Sequence, residues 1–262
     1  MHLPSCCISD SPPYSHMYIS QLPIPSEPKR TNSTIPIKNN LISNKKIKTT
    51  TTNPSKMASK IAIIITSTRT PRVGPHVATL VHNILKASPS AASSTFSIVD
   101  VDTFKLPVFD EPVVPANVPA RGSFVHDHSK KWSAEIASHD AYVLIAPEYN
   151  YGVAGSTKNA IDYLKNEWDG KPAAIVTYGI QGGKMASEQI KQSLEGMGLR
   201  VSATRPQLAF AGGLGPDTFG AVGEGKLGDA SNKEWEEKHS EEIVQSYKEI
   251  LDALANPVEK KE

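Results

Sequence analysis

Cysteine is nearly absent from this chain of 262 residues: Cys6 and Cys7 are adjacent, and none follows. That excludes a disulfide framework, a structural zinc site and a cysteine nucleophile in the main domain. Long apolar runs are missing as well. The longest, Ile61-Ala62-Ile63-Ile64-Ile65, has five residues, where a membrane-spanning helix needs about 20. Nor does one charge sign dominate: 28 Lys+Arg against 27 Asp+Glu leave a formal net charge of +1. This balance argues against a broad nucleic-acid-binding surface. The expectation that remains is a reduced, soluble, cytoplasmic protein without membrane or nucleic-acid partners.

The overall balance conceals an asymmetry. Residues 1–56 carry a net charge of +5 and eight of the 20 prolines, and the rest carries −4. No apolar periodicity runs through residues 1–56, which therefore read as a disordered N-terminal extension. Arg30 is their only arginine, unlike an Arg-rich mitochondrial transit peptide, and a secretory signal's apolar core is missing. Met57-Ala58-Ser59-Lys60 stands directly before the first strand, so translation is expected to begin at Met57.

From Lys60 onward apolar β-branched runs alternate with helical stripes. Ile61–Ile65, Phe96–Val99, Ala141–Ala146 and Ala173–Tyr178 read as strands covered on both faces. A weaker fifth spans Val201 to Phe210, where Pro206 argues for an edge or a broken strand. Between them lie stripes at Val77–Leu85, Trp132–Ile136, Ala160–Trp168 (with Ser156 or Thr157 as N-cap), Met185–Leu194 and Glu234–Leu254. The alternation predicts a doubly wound α/β fold: a flavodoxin-like five-stranded parallel sheet, order 2-1-3-4-5, with helices on both faces. Residues 57–211 make its main domain. Residues 212–262 follow as a Gly-rich flexible loop and a C-terminal helix.

Ligands in such a sheet bind outside the carboxyl ends of the strands. The first loop there, Thr66 to His76, combines hydroxyls with Arg69 and Arg72 at a helix N-terminus and suits a terminal phosphate. The second, Pro147-Glu148-Tyr149-Asn150-Tyr151-Gly152, offers two tyrosine faces for a planar heterocycle. The third, Tyr178-Gly179-Ile180-Gln181-Gly182-Gly183, has three glycines that allow close backbone approach to a flat ring.

Residues 60–210 resemble the NADPH-dependent FMN reductase family, the flavodoxin-like quinone and azo-dye reductases. The resemblance is carried by Ser67-Thr68-Arg69, by Leu106-Pro107-Val108-Phe109-Asp110-Glu111-Pro112 and by Pro147-Glu148-Tyr149-Asn150 with Lys158-Asn159-Ala160-Ile161-Asp162. Tyr178-Gly179 with Gly182-Gly183 completes it. It implies that Ser67, Thr68, Arg69, Arg72 and His76 bind the FMN phosphate. It further implies that Pro147, Glu148, Tyr149 and Asn150 line the isoalloxazine, and that Tyr178, Gly179, Gly182 and Gly183 hold its other edge. Tyr149 and Tyr151 are the candidates for the substrate side.

The resemblance also implies NADPH or NADH as hydride donor, a quinone, azo compound or free flavin as acceptor, ping-pong turnover and a homo-oligomer such as a homodimer. No side chain is singled out as a catalytic acid or base, because the cofactor carries the chemistry. Two departures stand out: Thr66 replaces the glycine that usually opens the first loop, and Tyr151 to Gly155 replace the usual Ser-x-Pro-Gly. A flavodoxin-type electron carrier and a flavin-bound regulatory protein are the competing readings. The −4 of residues 57–262 and the loop arginines speak against a carrier. His126 and His128 lack a third metal ligand nearby, and Asp110-Glu111 reads as a solvated turn.

Overall fold

The computed structural model describes residues 58–118 and 122–257. The expectations for residues 1–56 and for a start at Met57 lie outside the described residues.

Seven strands form one sheet: β1 (Ser59–Ile65), β2 (Ser94–Asp100), β3 (Ala141–Tyr149), β4 (Gly152–Val153), β5 (Pro172–Gly179), β6 (Arg200–Val201) and β7 (Gln207–Ala209). The parallel order is β2-β1-β3-β5-β6, with β7 also on β5 and β4 antiparallel to β3. The flavodoxin-like class holds, but the sheet departs slightly from the expected five strands: the last position is split into β6 and β7, and β4 adds a short antiparallel strand on β3. The break falls at Pro206: lacking an N–H, it contributes only its carbonyl, which accepts from Thr177 N at 3.0 Å. The opposite edge, β2, is less covered than its apolar run suggests, with Ile98 46% exposed.

Strand periodicity builds two core layers. Ile61, Ile63 and Ile65 face one side of the sheet with Val143, Ile145, Ala174 and Val176. Ala62 and Ile64 face the other with Leu144 and Ile175. Helices α1 (Gly74–Ala87) and α6 (Asp229–Ala255) cover the first face; α2 (Asp127–Ala137), α3 (Gly155–Asp162) and α4 (Lys184–Gly196) cover the second. Trp235 of α6 is fully buried and donates from Nε1 to Ala209 O at 2.6 Å. The C-terminal helix thus completes the core of the sheet.

Three local expectations are corrected. The Gly-rich stretch after Ala211 is not all loop, because Pro216–Gly223 form helix α5 with Pro216 in its first turn. Ser156 and Thr157 do not cap α3, whose N-cap is Ala154; Ser156 Oγ instead donates to Thr66 O at 2.7 Å, and Thr157 Oγ1 shares a 2.7 Å hydrogen bond with Thr66 Oγ1. Leu164 and Trp168, read as part of the helical stripe, are buried in the turns beyond α3.

Asp110 and Glu111 are also more than a solvated turn. Glu111 is buried and accepts from Val125 N and His126 N, both at 2.9 Å, holding the start of α2. Desolvation pushes its carboxyl up, but the nearby Ser129 hydroxyl and the backbone hydrogen bonds from His126 and Val125 outweigh that and leave it below the ordinary glutamate value. A depressed folded-state pKa gives stability that is present above the unfolded value and is lost as pH falls through the folded one. Wild type is therefore expected to melt above Glu111→Gln at neutral pH, with the gap closing on acidification below about pH 4. A constant gap between pH 7 and pH 3 in thermal melts sinks this account.

Candidate active site

The loops after β1, β3 and β5 come together at the carboxyl edge of the sheet. They surround a cavity of about 660 Å³, inside the roughly 300–1,000 Å³ range of cofactor pockets. The first loop contributes Arg69, Arg72 and Val73; the second Pro147 to Tyr151; the third Tyr178 to Gln181. Phe210, Leu214, Thr218, Ala221 and Val222 close the remaining side.

Most residues singled out in the sequence meet here. Arg69, Arg72, Pro147, Glu148, Tyr149, Asn150, Tyr151, Tyr178 and Gly179 all line the cavity. Ser67 lies behind the wall, fully buried against the start of α1, where a Cβ on Gly74 would overlap its Oγ. Thr68 borders a separate groove beside Lys158, and His76 lies in one between α1 and α6. Gly182 and Gly183, at the end of the third loop, do not line the cavity and pack against Gln207 and Thr177.

The charged side chains have partners within the protein. Arg69 donates from Nη1 to Val222 O at 2.8 Å and from Nη2 to Ala221 O at 3.4 Å, anchoring the end of α5. Arg72 donates to Ser67 O at 2.9 Å and pairs with Asp100 at 2.7 Å, which shapes the first loop. Glu148 Oε2 accepts from Met185 N at 2.8 Å and Ala186 N at 3.1 Å. It is a remote N-cap for α4, whose own N-cap residue, Gly183, has no side chain to offer. Glu148→Ala is expected to cost about 1–2 kcal/mol of stability, and Glu148→Gln much less. Urea melts giving equal stability for all three proteins defeat that assignment.

The second loop is a hairpin turn between β3 and β4. Asn150 and Tyr151 have φ of 49° and 61°, the paired left-handed conformation of a two-residue turn that matches strand twist. Asn accepts this readily; a tyrosine there is strained. The turn leaves Tyr151 80% exposed at the cavity mouth. Gln189 of α4 steadies it by accepting from Val153 N at 2.8 Å.

Polar groups beneath the loops complete the frame. Thr66 donates from Oγ1 to Ile145 O at 3.0 Å, so the hydroxyl that stands in place of the usual glycine ties β1 to β3. Thr177 Oγ1 donates to Gly182 O at 2.8 Å and pins the third loop. Burial pushes the Tyr178 phenol upward, opposed by its neighbour Ser67 and by Arg72 and Arg69, with Tyr149 reinforcing the rise. Ser67 Oγ itself makes no hydrogen bond of good geometry despite full burial.

A second polar cluster lies away from the cavity. His128 Nε2 is 3.0 Å from Asp110 Oδ1, which also accepts from the Tyr163 hydroxyl at 2.9 Å. The His126 and His128 rings stack at 5.2 Å. Among the described residues, no group of three or more His, Cys, Asp or Glu side chains is placed to hold a metal ion. No helix among them is long and apolar enough to cross a membrane.

Sequence reasoning missed the wall formed by Phe210 and α5. The glycines flanking α5 masked it, leaving Pro216 as the one helix-start signal.

A flavodoxin-like α/β fold with a three-loop cavity at its switch point defines a class of flavin-binding proteins, and residues 59–213 match the model of the NADPH-dependent FMN reductase family. The chain belongs to that family and is an oxidoreductase, with FMN and NAD(P)H as the cofactors of its class. It is 48% identical over 203 residues to an NAD(P)H-dependent FMN reductase of a Nectria species, covering 77% of this chain and 100% of the relative. It is 32% identical over 142 residues to a quinone reductase of Escherichia coli strain K12, covering 50% of this chain and 68% of the relative. In fold it resembles FerB, a flavoenzyme NAD(P)H:(acceptor) oxidoreductase of Paracoccus denitrificans, with TM-score 0.51 and 19% identity over 73% of this chain and 98% of that one.

Proposed function

We propose that this protein passes hydride equivalents from NAD(P)H through bound FMN to quinones, azo compounds or free flavin. The observation that carries the reading is the convergence of the loops after β1, β3 and β5 on one cavity in a chain of the FMN reductase family.

The residues fit the cofactor. Ser67 Oγ is buried without a hydrogen bond of good geometry at the start of α1, whose first turn carries no acidic side chain. A buried hydroxyl with unsatisfied hydrogen-bonding capacity beside the positive end of a helix suits an anion. In this reading Ser67, Arg69 and Arg72 hold the phosphate, and Thr68 and His76, which face other grooves, are left out. Pro147, Glu148, Tyr149 and Asn150 border the ring, with Tyr178 and Gly179 on its other edge. Gly182 and Gly183 place the third loop. Tyr149 and Tyr151 line the acceptor side.

When bound, FMN supplies hydride transfer between a two-electron donor and a two-electron acceptor. In net terms NAD(P)H loses a hydride, and a quinone gains that equivalent plus one proton from water to become a hydroquinone. The protein's part is to bind, orient and exclude water. In this proposal donor and acceptor use the same mouth in turn, between the turn holding Tyr151 and the wall holding Leu214, which supports ping-pong kinetics. The cytoplasmic location and homo-oligomeric state implied by the family resemblance belong to the same proposal; cell fractionation and light scattering test them.

The test is an absorption spectrum of the purified protein, before and after NADPH under anaerobic conditions. A flavin spectrum that bleaches to the two-electron reduced form is the expected result. Flavin that stays oxidised points to a carrier or sensor, and failure to take up added FMN overturns the reading of all three loops.

A further inference from the structure

We propose that α5 and the turn before it, through Val222 and Leu214, are the acceptor-selecting wall of the cavity, and that this wall favours an uncharged aromatic acceptor larger than a single ring. The inference rests on the reading of this cavity as the flavin site.

Apolar side chains gather at the mouth of the cavity. Tyr149, Tyr151, Ile180, Leu214 and Val222 all line it, with exposures of 36, 80, 45, 69 and 55%. They come from three separate segments: the β3–β4 turn, the loop after β5, and α5 with the turn before it. Single exposed apolar side chains need no account, but five gathered around one opening mark a contact surface.

Charge around this cavity is not left for the acceptor, because Arg69 and Arg72 serve the phosphate in the reading above and are, like Glu148, fixed by the protein. Arg69 is held by carbonyls of α5, Arg72 by Asp100, and Glu148 by amides of α4. A charged acceptor would leave water without gaining a matched partner, whereas an apolar aromatic one gains contact over its whole area.

The wall is fixed in place. Asp217 Oδ2 accepts from Ser231 N at 2.6 Å, joining α5 to the first turn of α6, and Thr218 Oγ1 donates to Gly213 O at 2.6 Å. Gly225, at φ +71°, passes so close to the first loop that a Cβ would lie 2.8 Å from Arg72 N. Leu214 and Val222 also fall outside residues 59–213, the part that matches the family.

The experiment uses full-length FMN-loaded protein with NADPH and three acceptors: phenanthrenequinone with three fused rings, single-ring benzoquinone, and ferricyanide, a charged inorganic ion. In the Leu214→Ser/Val222→Ser variant kcat/KM for phenanthrenequinone is expected to fall about tenfold, mainly through KM. Benzoquinone is expected to change less than about threefold and ferricyanide not at all. FMN affinity, read by fluorescence titration, should match wild type. Both side chains are largely exposed, and Val222→Thr, close in shape, provides a milder variant with the same expected direction.

Equal changes for all three acceptors, or none, overturn the proposal. So does weakened FMN binding in the variant alone, because the wall then serves the flavin. A wild-type protein that takes up no FMN is a different result: it removes the flavin site on which the proposal stands.

Discussion

Gly182→Ala is expected to destabilise the protein by about 2–4 kcal/mol and to lower its melting temperature by on the order of 10 °C. Gly182 has φ +79°, where a residue with a Cβ is strained, and the new atom would sit 2.9 Å from Gln207 O and 3.0 Å from Gln207 C. Those are backbone atoms of β7, so no side-chain rotation relieves the overlap. Either β7 or the third loop must move, and that loop carries Gly179 to Gln181 into the cavity. Loss of stability should therefore come with loss of FMN affinity. Gly196 is the control: it ends α4, and nothing lies within 4 Å of the place a methyl group would take. Gly196→Ala should leave both quantities close to wild type. Paired melts and FMN titrations decide the matter, and a Gly182→Ala protein that melts with wild type removes the steric argument.

Ser67→Ala carries the largest expected effect on the cofactor. Its hydroxyl is buried without a hydrogen bond of good geometry, so removing it should leave the cofactor-free protein as stable as wild type or slightly more so. With FMN the sign reverses. A hydrogen bond to a charged group is worth about 1.5–3 kcal/mol, so affinity for FMN should fall about 10- to 100-fold. Riboflavin, which lacks the phosphate, should bind both proteins equally. Equal losses for FMN and riboflavin place Ser67 in the general packing of the site, and no loss for either removes it from the phosphate subsite.

Much of this frame was legible in residue order. The run Ile61–Ile65 reads as a doubly covered strand because every residue in it is apolar, and its odd and even positions do supply opposite core layers. Pro206 foretold the broken edge, since a residue without an N–H cannot continue a ladder. Arg69 and Arg72 were legible as residue types in the right loop but not as partners. Their hydrogen bonds go to carbonyls of Ala221, Val222 and Ser67 and to Asp100. For Arg69 the bonded residues lie some 150 positions away. Glu148 was likewise visible as a cavity residue, while its service to the amides of Met185 and Ala186 needed the third dimension.

What the sequence by itself determined is the alternation of strands and helices and the three loops that follow β1, β3 and β5. Local periodicity and turn chemistry suffice for that, because each signal lies within a few residues of its effect. The tertiary structure alone decided which buried hydroxyl is left without a partner, which charges are neutralised by distant backbone, and that α5 closes the cavity as an apolar wall. Those outcomes depend on contacts between segments far apart in the chain, and a pattern read along one strand or helix carries no record of the partner it will meet.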